Sequence, residues 1–227
     1  MNTIAANVTQ LLREIPSGVQ LVAVAKTRSA AEVAEAIAAG IRIVGQNYLQ
    51  EALPVIESLR ESHGDKSREP VSWHFIGHLQ SNKIGPVINN FQMIETLESV
   101  SHARRLQNLL VTADRVMPVL VEINSGREES KKGLLPEAVP AFLDEVAALD
   151  RIAIKGLMTM GPWKANPQAS RQAFRDTYAL YRQLTEAALP GVEMELLSMG
   201  MSASWRVAVE EGANMVRIGA DIFGPRR

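Results

Sequence analysis

Lys26 closes a short apolar run, Leu21 to Lys26, in which Val22, Val24 and Lys26 share one face at the period of a strand. An ammonium at the lip of an apolar wall is partly desolvated. That favours the neutral amine, the form that attacks an aldehyde. A lysine snorkelling into solvent at a strand end would look the same, so other segments must decide. Leu197-Ser198-Met199-Gly200-Met201-Ser202 ends another apolar run and leads into a helix expected from Ser202 to Glu211. Gly200 lets the backbone approach a ligand, the hydroxyls of Ser198 and Ser202 can donate, and free amides at a helix start favour an anion. A plain turn with a serine cap is the competing reading. Arg217 interrupts the apolar run Met215-Val216-Arg217-Ile218-Gly219, and a buried guanidinium needs a partner. It either pairs with a carboxylate such as Glu122, which also interrupts a strand, or faces a ligand and donates to a ring nitrogen or an acidic group.

Three further clusters end apolar runs. Gly45-Gln46-Asn47-Tyr48 supplies a tight turn with an amide able to bond a phenolic oxygen. The block His74 to Lys83 carries two histidines, but His74 and His78 are four apart on an extended segment, so they do not converge as in a zinc helix. No third ligand is evident and no metal is expected. Asn124 to Gly133 is a charged loop that reads equally as a solvated segment or a lid.

The elements that must hold these residues alternate short β-branched runs with longer stretches of helical period, the pattern of parallel strands joined by crossover helices. Eight strands are expected: Leu21 to Lys26, Arg42 to Gly45, Trp73 to Gly77, Gln92 to Leu97, Met117 to Asn124, Ile152 to Met160, Met194 to Met199 and Asn214 to Gly219. Seven helices fit between them, including Ser99 to Ala113, Leu135 to Leu149 and Ala169 to Ala188. Ser29 with Glu32 makes a capping box, Ala34, Ile37 and Ala38 mark that helix's apolar face, and Gly40 ends it. Residues 2–14 predict an extra leading helix through Ile4, Val8, Leu11 and Leu12, placed to fill the gap left by a missing eighth outer helix. Gly64 to Pro70 and Gly161 to Gln168 are polar loops, and no linker divides residues 1–227. Eight near-regular strands in so short a chain favour a single closed (β/α)8 barrel, a TIM barrel, over an open doubly wound sheet. The residues above then gather at the carboxyl ends of the strands, where such barrels keep their sites.

Composition narrows the partners. Twenty-four basic against twenty-five acidic residues give a net charge of −1, so no broad field points toward nucleic acid or anionic lipid. The absence of cysteine excludes disulfides and thiolate chemistry and sits easily with a reducing compartment, so the cytoplasm is expected. No export signal and no apolar run of the ~20 residues a bilayer needs is read in the chain. A small molecule is the default partner.

Together these blocks resemble the pyridoxal phosphate homeostasis proteins, the YggS/PROSC family, along nearly the whole chain. Ala23-Val24-Ala25-Lys26-Thr27, Gly45-Gln46-Asn47 and His74 through Lys83 match in order and spacing. So do Asn124 through Gly133, Gly156-Leu157-Met158-Thr159-Met160, Ser198 through Ser202, Val216-Arg217-Ile218-Gly219 and Ile222-Phe223-Gly224. The resemblance implies a monomeric barrel like the amino-terminal domain of alanine racemase, holding pyridoxal 5′-phosphate (PLP) as a Schiff base on Lys26. It implies phosphate near Ser198, Gly200, Ser202 and Gly219, Arg217 facing the pyridine nitrogen, and Asn47 near the ring, with His78, Met158 and Met201 also at the cofactor. Two positions depart from the family pattern: Gln46 stands where Glu is common, and Ser204 precedes Trp205 where an acid is usual.

An arginine beside the pyridine nitrogen disfavours its protonation, and an unprotonated ring is a poor electron sink. Racemases with this arrangement add a second base from another domain or subunit, and the tyrosines Tyr48, Tyr178 and Tyr181 offer no obvious substitute. The expectation is a non-catalytic carrier or regulator in vitamin B6 and amino-acid homeostasis, with PLP-dependent apoenzymes as transient recipients. The rivals are a small racemase-like PLP enzyme, a Schiff-base aldolase using Lys155, and a protein-interaction barrel without cofactor.

Overall fold

The computed structural model describes residues 3–62, 71–162 and 167–225. The loop expected at Gly64 to Pro70, and residues 163–166 of that expected at Gly161 to Gln168, lie outside them. Eight parallel strands close into a barrel in chain order: β1 (Gln20–Val24), β2 (Ile43–Gln46), β3 (Ser72–Phe75), β4 (Met93–Leu97), β5 (Met117–Ile123), β6 (Ile152–Thr159), β7 (Val192–Met199) and β8 (Met215–Ile218). Val22 of β1 pairs with Ile43 of β2 on one side and Arg217 of β8 on the other, so no edge is left open. Helix α1 (Ile4–Glu14) precedes the barrel. Between strands run α2 (Ala30–Ala38), α3 (Leu49–Ser62), α4 (Ile84–Asn90), α5 (Val100–Thr112), α6 (Val139–Val146), α7 (Pro167–Ala187) and α8 (Trp205–Glu210), and α9 (Ala220–Phe223) follows β8.

The capping box forms: Ser29 Oγ accepts from the Glu32 amide, and Glu32 Oε2 accepts from the Ser29 amide at 2.9 Å. The buried stripe of α2, however, is Val33, Ala36 and Ile37, with Ala38 exposed. The branched side chains set the stripe because they remove more apolar surface than alanines do. Gly40 ends the helix at φ +119, as expected. α1 does fill the flank beside α2: Val8 and Leu11 are buried, Asn7 Nδ2 donates to the Ile222 carbonyl of α9 at 3.0 Å, and Glu14 pairs with Arg206 of α8. Leu12, expected on the buried face, is 43% exposed.

Several expected boundaries shift at the mouth. The ladder stops short of Lys26, Gly77, Asn124, Met160 and Gly219 because the chain turns there; at the opposite end of the barrel β7 starts two residues early at Val192. The helix expected from Ser202 starts at Trp205, since the amides of Ser204 and Trp205 both donate to the Met201 carbonyl and spend residues 202–204 on a turn. The helix expected from Leu135 opens as a 3-10 turn, Pro136–Ala138, before α6.

The core has two parts. A large shell packs the helices onto the sheet, while Val22, Leu120, Met158 and Met215 fill the barrel interior with Ile43, Met93 and Leu196 against them. Each such side chain contributes about 1.5–3 kcal/mol on burial. Two glycines let segments meet closely: a Cβ on Gly156, at φ +145, would lie 1.8 Å from the Leu196 carbonyl oxygen, and one on Gly77 would lie 1.9 Å from that of Asn47. No helix among the described residues is long and apolar enough to cross a membrane.

Candidate functional site

Lys26 sits in a turn just beyond β1, closed by the Arg28 amide donating to the Ala25 carbonyl at 3.1 Å. Thr27 occupies that turn at φ +61, a strained setting for a β-branched residue, and its amide donates to Glu51 Oε2 of α3 at 2.9 Å. Lys26 Nζ donates to Tyr48 Oη at 3.2 Å and lies 4.7 Å from the centre of that ring. Tyr48, just before α3, and Glu51, in its first turn, therefore restrain the amine and the backbone that presents it.

Lys26 lines a cavity of about 150 Å³ together with Val24, Arg28, Gly219, Ala220 and Gly224. The ends of β1 and β8 thus share one space, and a Cβ on Gly219 would press to 3.2 Å from the Val24 carbonyl oxygen. The side chain of Arg28 is 7% exposed, donates to the carbonyls of Gly224 and Pro225 at 2.7 and 3.0 Å, and pairs with Glu32. Beside the mouth, Asn47 Oδ1 is buried without a hydrogen-bond partner, and so are both amide atoms of Gln46.

Beneath the mouth lies a buried polar layer. Arg217 Nη1 donates to Ser198 Oγ at 2.6 Å and Nη2 to the Thr159 carbonyl at 2.8 Å; Ser198 Oγ donates onward to Glu95 Oε2 at 2.8 Å, and Glu95 Oε1 meets His74 Nδ1 at 2.8 Å. Burial pushes the Glu95 carboxyl up, but the bond and charge of His74, then Arg217 and Ser198, outweigh it and hold it below its ordinary value. Burial pulls Arg217 down, opposed by Glu95 and Glu122. Arg217 therefore reaches its carboxylate through Ser198 and makes no direct ion pair with Glu122 among the described residues. Glu122, 4% exposed, is pushed up to about 7 by burial and by Glu98, against the pull of Arg217.

Of the expected site residues, Lys26 and Gly219 share the cavity, and Ser198 and Arg217 meet in the layer below. The Arg217 amide donates to the Gly200 carbonyl at 3.0 Å, and Ser202 Oγ accepts from the Asp221 amide at 3.4 Å, so β7 and β8 ends are tied together. Met158 belongs to the apolar floor, and Met201 stands 39% exposed on the rim. His78 turns to Glu98, 3.0 Å away, and Glu98 also accepts from the Gly133 amide. The Asn124 to Gly133 loop is strapped down: Asn124 exchanges bonds with the backbone of Glu128, and Lys131 Nζ donates to the Gly161 carbonyl at 2.6 Å. Lys155 lies midway along β6, held by Glu193 and Glu195, which raise its pKa and keep the amine charged.

Sequence reasoning assigned no role to Tyr48, Glu95 or Arg28. Glu95 carries the same signal as Arg217, a charge inside an apolar strand, and Tyr48 directly follows Asn47.

The family model for the alanine racemase N-terminal domain matches residues 1–227. The chain is 37% identical to the pyridoxal phosphate homeostasis protein of Pseudomonas aeruginosa, across 100% of this chain and 97% of that one. The mouse protein of the same name is 37% identical across 91% of this chain and 77% of its own. The structure of PipY from Synechococcus elongatus with PLP bound is 31% identical, with a TM-score of 0.88 over 98% of this chain and 100% of that one. An alanine racemase from Clostridium difficile, at 17% identity, a TM-score of 0.79 and 57% of its length covered, shares the fold. The chain belongs to the alanine racemase N-terminal domain family and, within it, to the pyridoxal phosphate homeostasis proteins.

Proposed function

We propose that this chain binds PLP reversibly, through an imine bond to Lys26, and serves vitamin B6 and amino-acid homeostasis as a monomeric cytoplasmic carrier that passes PLP to apoenzymes without turnover of its own. The observation that carries this reading is the cavity shared by the Lys26 amine and the glycine-lined end of β8. An amine on one wall suits an aldehyde, and the small residues Gly219 and Ala220 opposite let backbone approach a phosphate. Asn47 Oδ1, buried without a partner just beyond β2, the strand that pairs with β1, fits a ligand that brings its own donor. The similarity to pyridoxal phosphate homeostasis proteins and to PLP-bound PipY supports the same cofactor.

When bound, PLP supplies an aldehyde for capture by an amine and a ring that can withdraw electrons. This chain's residues favour the first use. Arg217 has donors only, so a ring nitrogen facing it stays unprotonated. Racemisation needs bases on opposite faces of the reacting carbon. Tyr48 touches Lys26 itself, while Tyr178 and Tyr181 stack on each other on α7, so no tyrosine stands opposite the amine. The charged Lys155, paired with two carboxylates, disfavours an aldolase, whose amine must be neutral.

Borohydride reduction with PLP, followed by peptide mass mapping, tests the site. A cofactor adduct on the Lys26 peptide is expected, and an adduct elsewhere or none refutes the reading. Enzyme-like turnover of D- or L-amino acids that disappears in Lys26→Ala would overturn the carrier role.

A further inference from the structure

Tyr48 is 47% exposed, so packing does not account for its place on the rim. Its hydroxyl instead lies 3.2 Å from Lys26 Nζ, the nitrogen that the proposed function makes the reacting atom. Its ring also faces that nitrogen at 4.7 Å, so the phenol and the amine keep company as one unit. Glu51, three residues on in the first turn of α3, holds the Thr27 amide at 2.9 Å and fixes the strained turn that points Lys26 at Tyr48.

We infer that Tyr48 is a catalytic residue for making and breaking the C=N bond at Lys26, acting as a proton relay. The inference rests on Lys26 being the site of attachment. When a neutral primary amine condenses with an aldehyde, the nitrogen loses two protons and the aldehyde oxygen leaves as water carrying both. The new C=N bond takes the electron pairs released from nitrogen, and the C–O bond breaks with its electrons on oxygen. A hydroxyl within hydrogen-bond reach of the nitrogen takes one of those protons while giving its own to the departing oxygen. The phenol ends as it began, so no further reactant is consumed. Hydrolysis runs the same transfers in reverse, and the relay accelerates release as much as capture. For a carrier this separates two properties: the contacts that PLP makes at the mouth set how tightly it is held, and Tyr48 sets how fast it exchanges.

Tyr48→Phe keeps the ring and removes the hydroxyl. Mixing apoprotein with PLP in a stopped-flow spectrophotometer gives the rate of imine formation, and trapping released PLP with a hydrazine gives the rate of loss. Both rates are expected to fall together, by about 10²-fold, the lower end of what a positioned acid–base group contributes, while the binding isotherm stays within about twofold of wild type. Unchanged rates refute the relay. A fall in one rate alone, with a matching change in affinity, also refutes it and makes Tyr48 a binding contact. A melting curve matching wild type excludes a folding defect, and Tyr48→Leu, lacking the ring as well, should be slowed no less than Tyr48→Phe. Borohydride mapping on both proteins keeps the two ideas apart: wild type without an adduct on Lys26 defeats the attachment site, whereas adducts in both with equal exchange rates defeat only the relay.

Discussion

Glu122 on β5 points its carboxyl into the barrel at 4% exposure, and its pKa rises from 4.5 to about 7 through burial and the neighbouring Glu98, with Arg217 pulling the other way. Because the folded protein binds this proton more tightly than the unfolded chain does, Glu122 costs nothing below about 4.5. Stability then falls as pH rises, and the full cost is present above about 7. A displacement from 4.5 to about 7 corresponds to about 3 kcal/mol. Glu122→Gln keeps the shape and cannot ionise. Urea melts of both proteins at about pH 5 and about pH 8 should show the variant gaining about 2–3 kcal/mol more at the higher pH, roughly 2–4 °C of melting temperature for each kcal/mol in a chain of this size. Groups common to both proteins cancel in that double difference. An advantage equal at the two pH values, or a loss at the higher one, would show that Glu122 is charged without penalty in the folded state.

Gln46 is fully buried with both amide atoms unpartnered, so Gln46→Met should raise stability by about 1–3 kcal/mol in urea melts; a loss would expose a hydrogen bond to an ordered water. Glu95→Gln removes the carboxylate that sustains Arg217 through Ser198, and a cost of about 3–5 kcal/mol at neutral pH is expected. Burial raises Glu95 but its partners lower it further, so its stabilising effect is complete above 4.5 and fades as pH falls through its folded value; the variant's deficit should shrink in acid. Gly156→Ala places a Cβ 1.8 Å from the Leu196 carbonyl oxygen at φ +145, and denaturation should show a loss above about 2 kcal/mol. A near-neutral result would mean that the chain around Gly156 relaxes freely.

The barrel was legible because its evidence repeats: eight β-branched runs, with helical period in the seven intervals between them, leave few other ways to bury the apolar surface. Lys26 and Arg217 stood out for a related reason, since strand parity or a strand end makes each residue type unexpected, whereas Gly219 was expected at the phosphate only from the family resemblance. Contacts across the mouth were not. Tyr48 meets Lys26 because β2 and α3 deliver it there, and nothing in the spacing of residues 26 and 48 encodes a 3.2 Å approach. Ser198 looked like an open hydroxyl, yet both of its bonds go to Arg217 and Glu95, a commitment that depends on three strands at once. The start of α8 and the stripe of α2 slipped because small residues such as Ser202, Ala34 and Ala38 lose little in either environment.

The polar groups in and around the barrel divide by whether the protein satisfies them, and that division bears on where a ligand belongs. From His74 through Glu95, Ser198 and Arg217 to the Thr159 carbonyl, each named group in the lower layer has a protein partner, so the layer is rigid and has little to gain from a ligand. At the level of Asn47 and Lys26 the balance changes: a buried amide oxygen lacks a donor, and the amine is met only by an exposed phenol in the contacts described. An unmet acceptor costs free energy in the empty protein and gives it back when a ligand supplies the donor, whereas a satisfied network gives nothing back. Affinity should therefore be concentrated at the upper level, while Arg217 below acts through the fixed direction of its charge. Asn47→Leu should then weaken PLP binding by about tenfold or more without destabilising the apoprotein, the reverse of the pattern expected for Glu95→Gln.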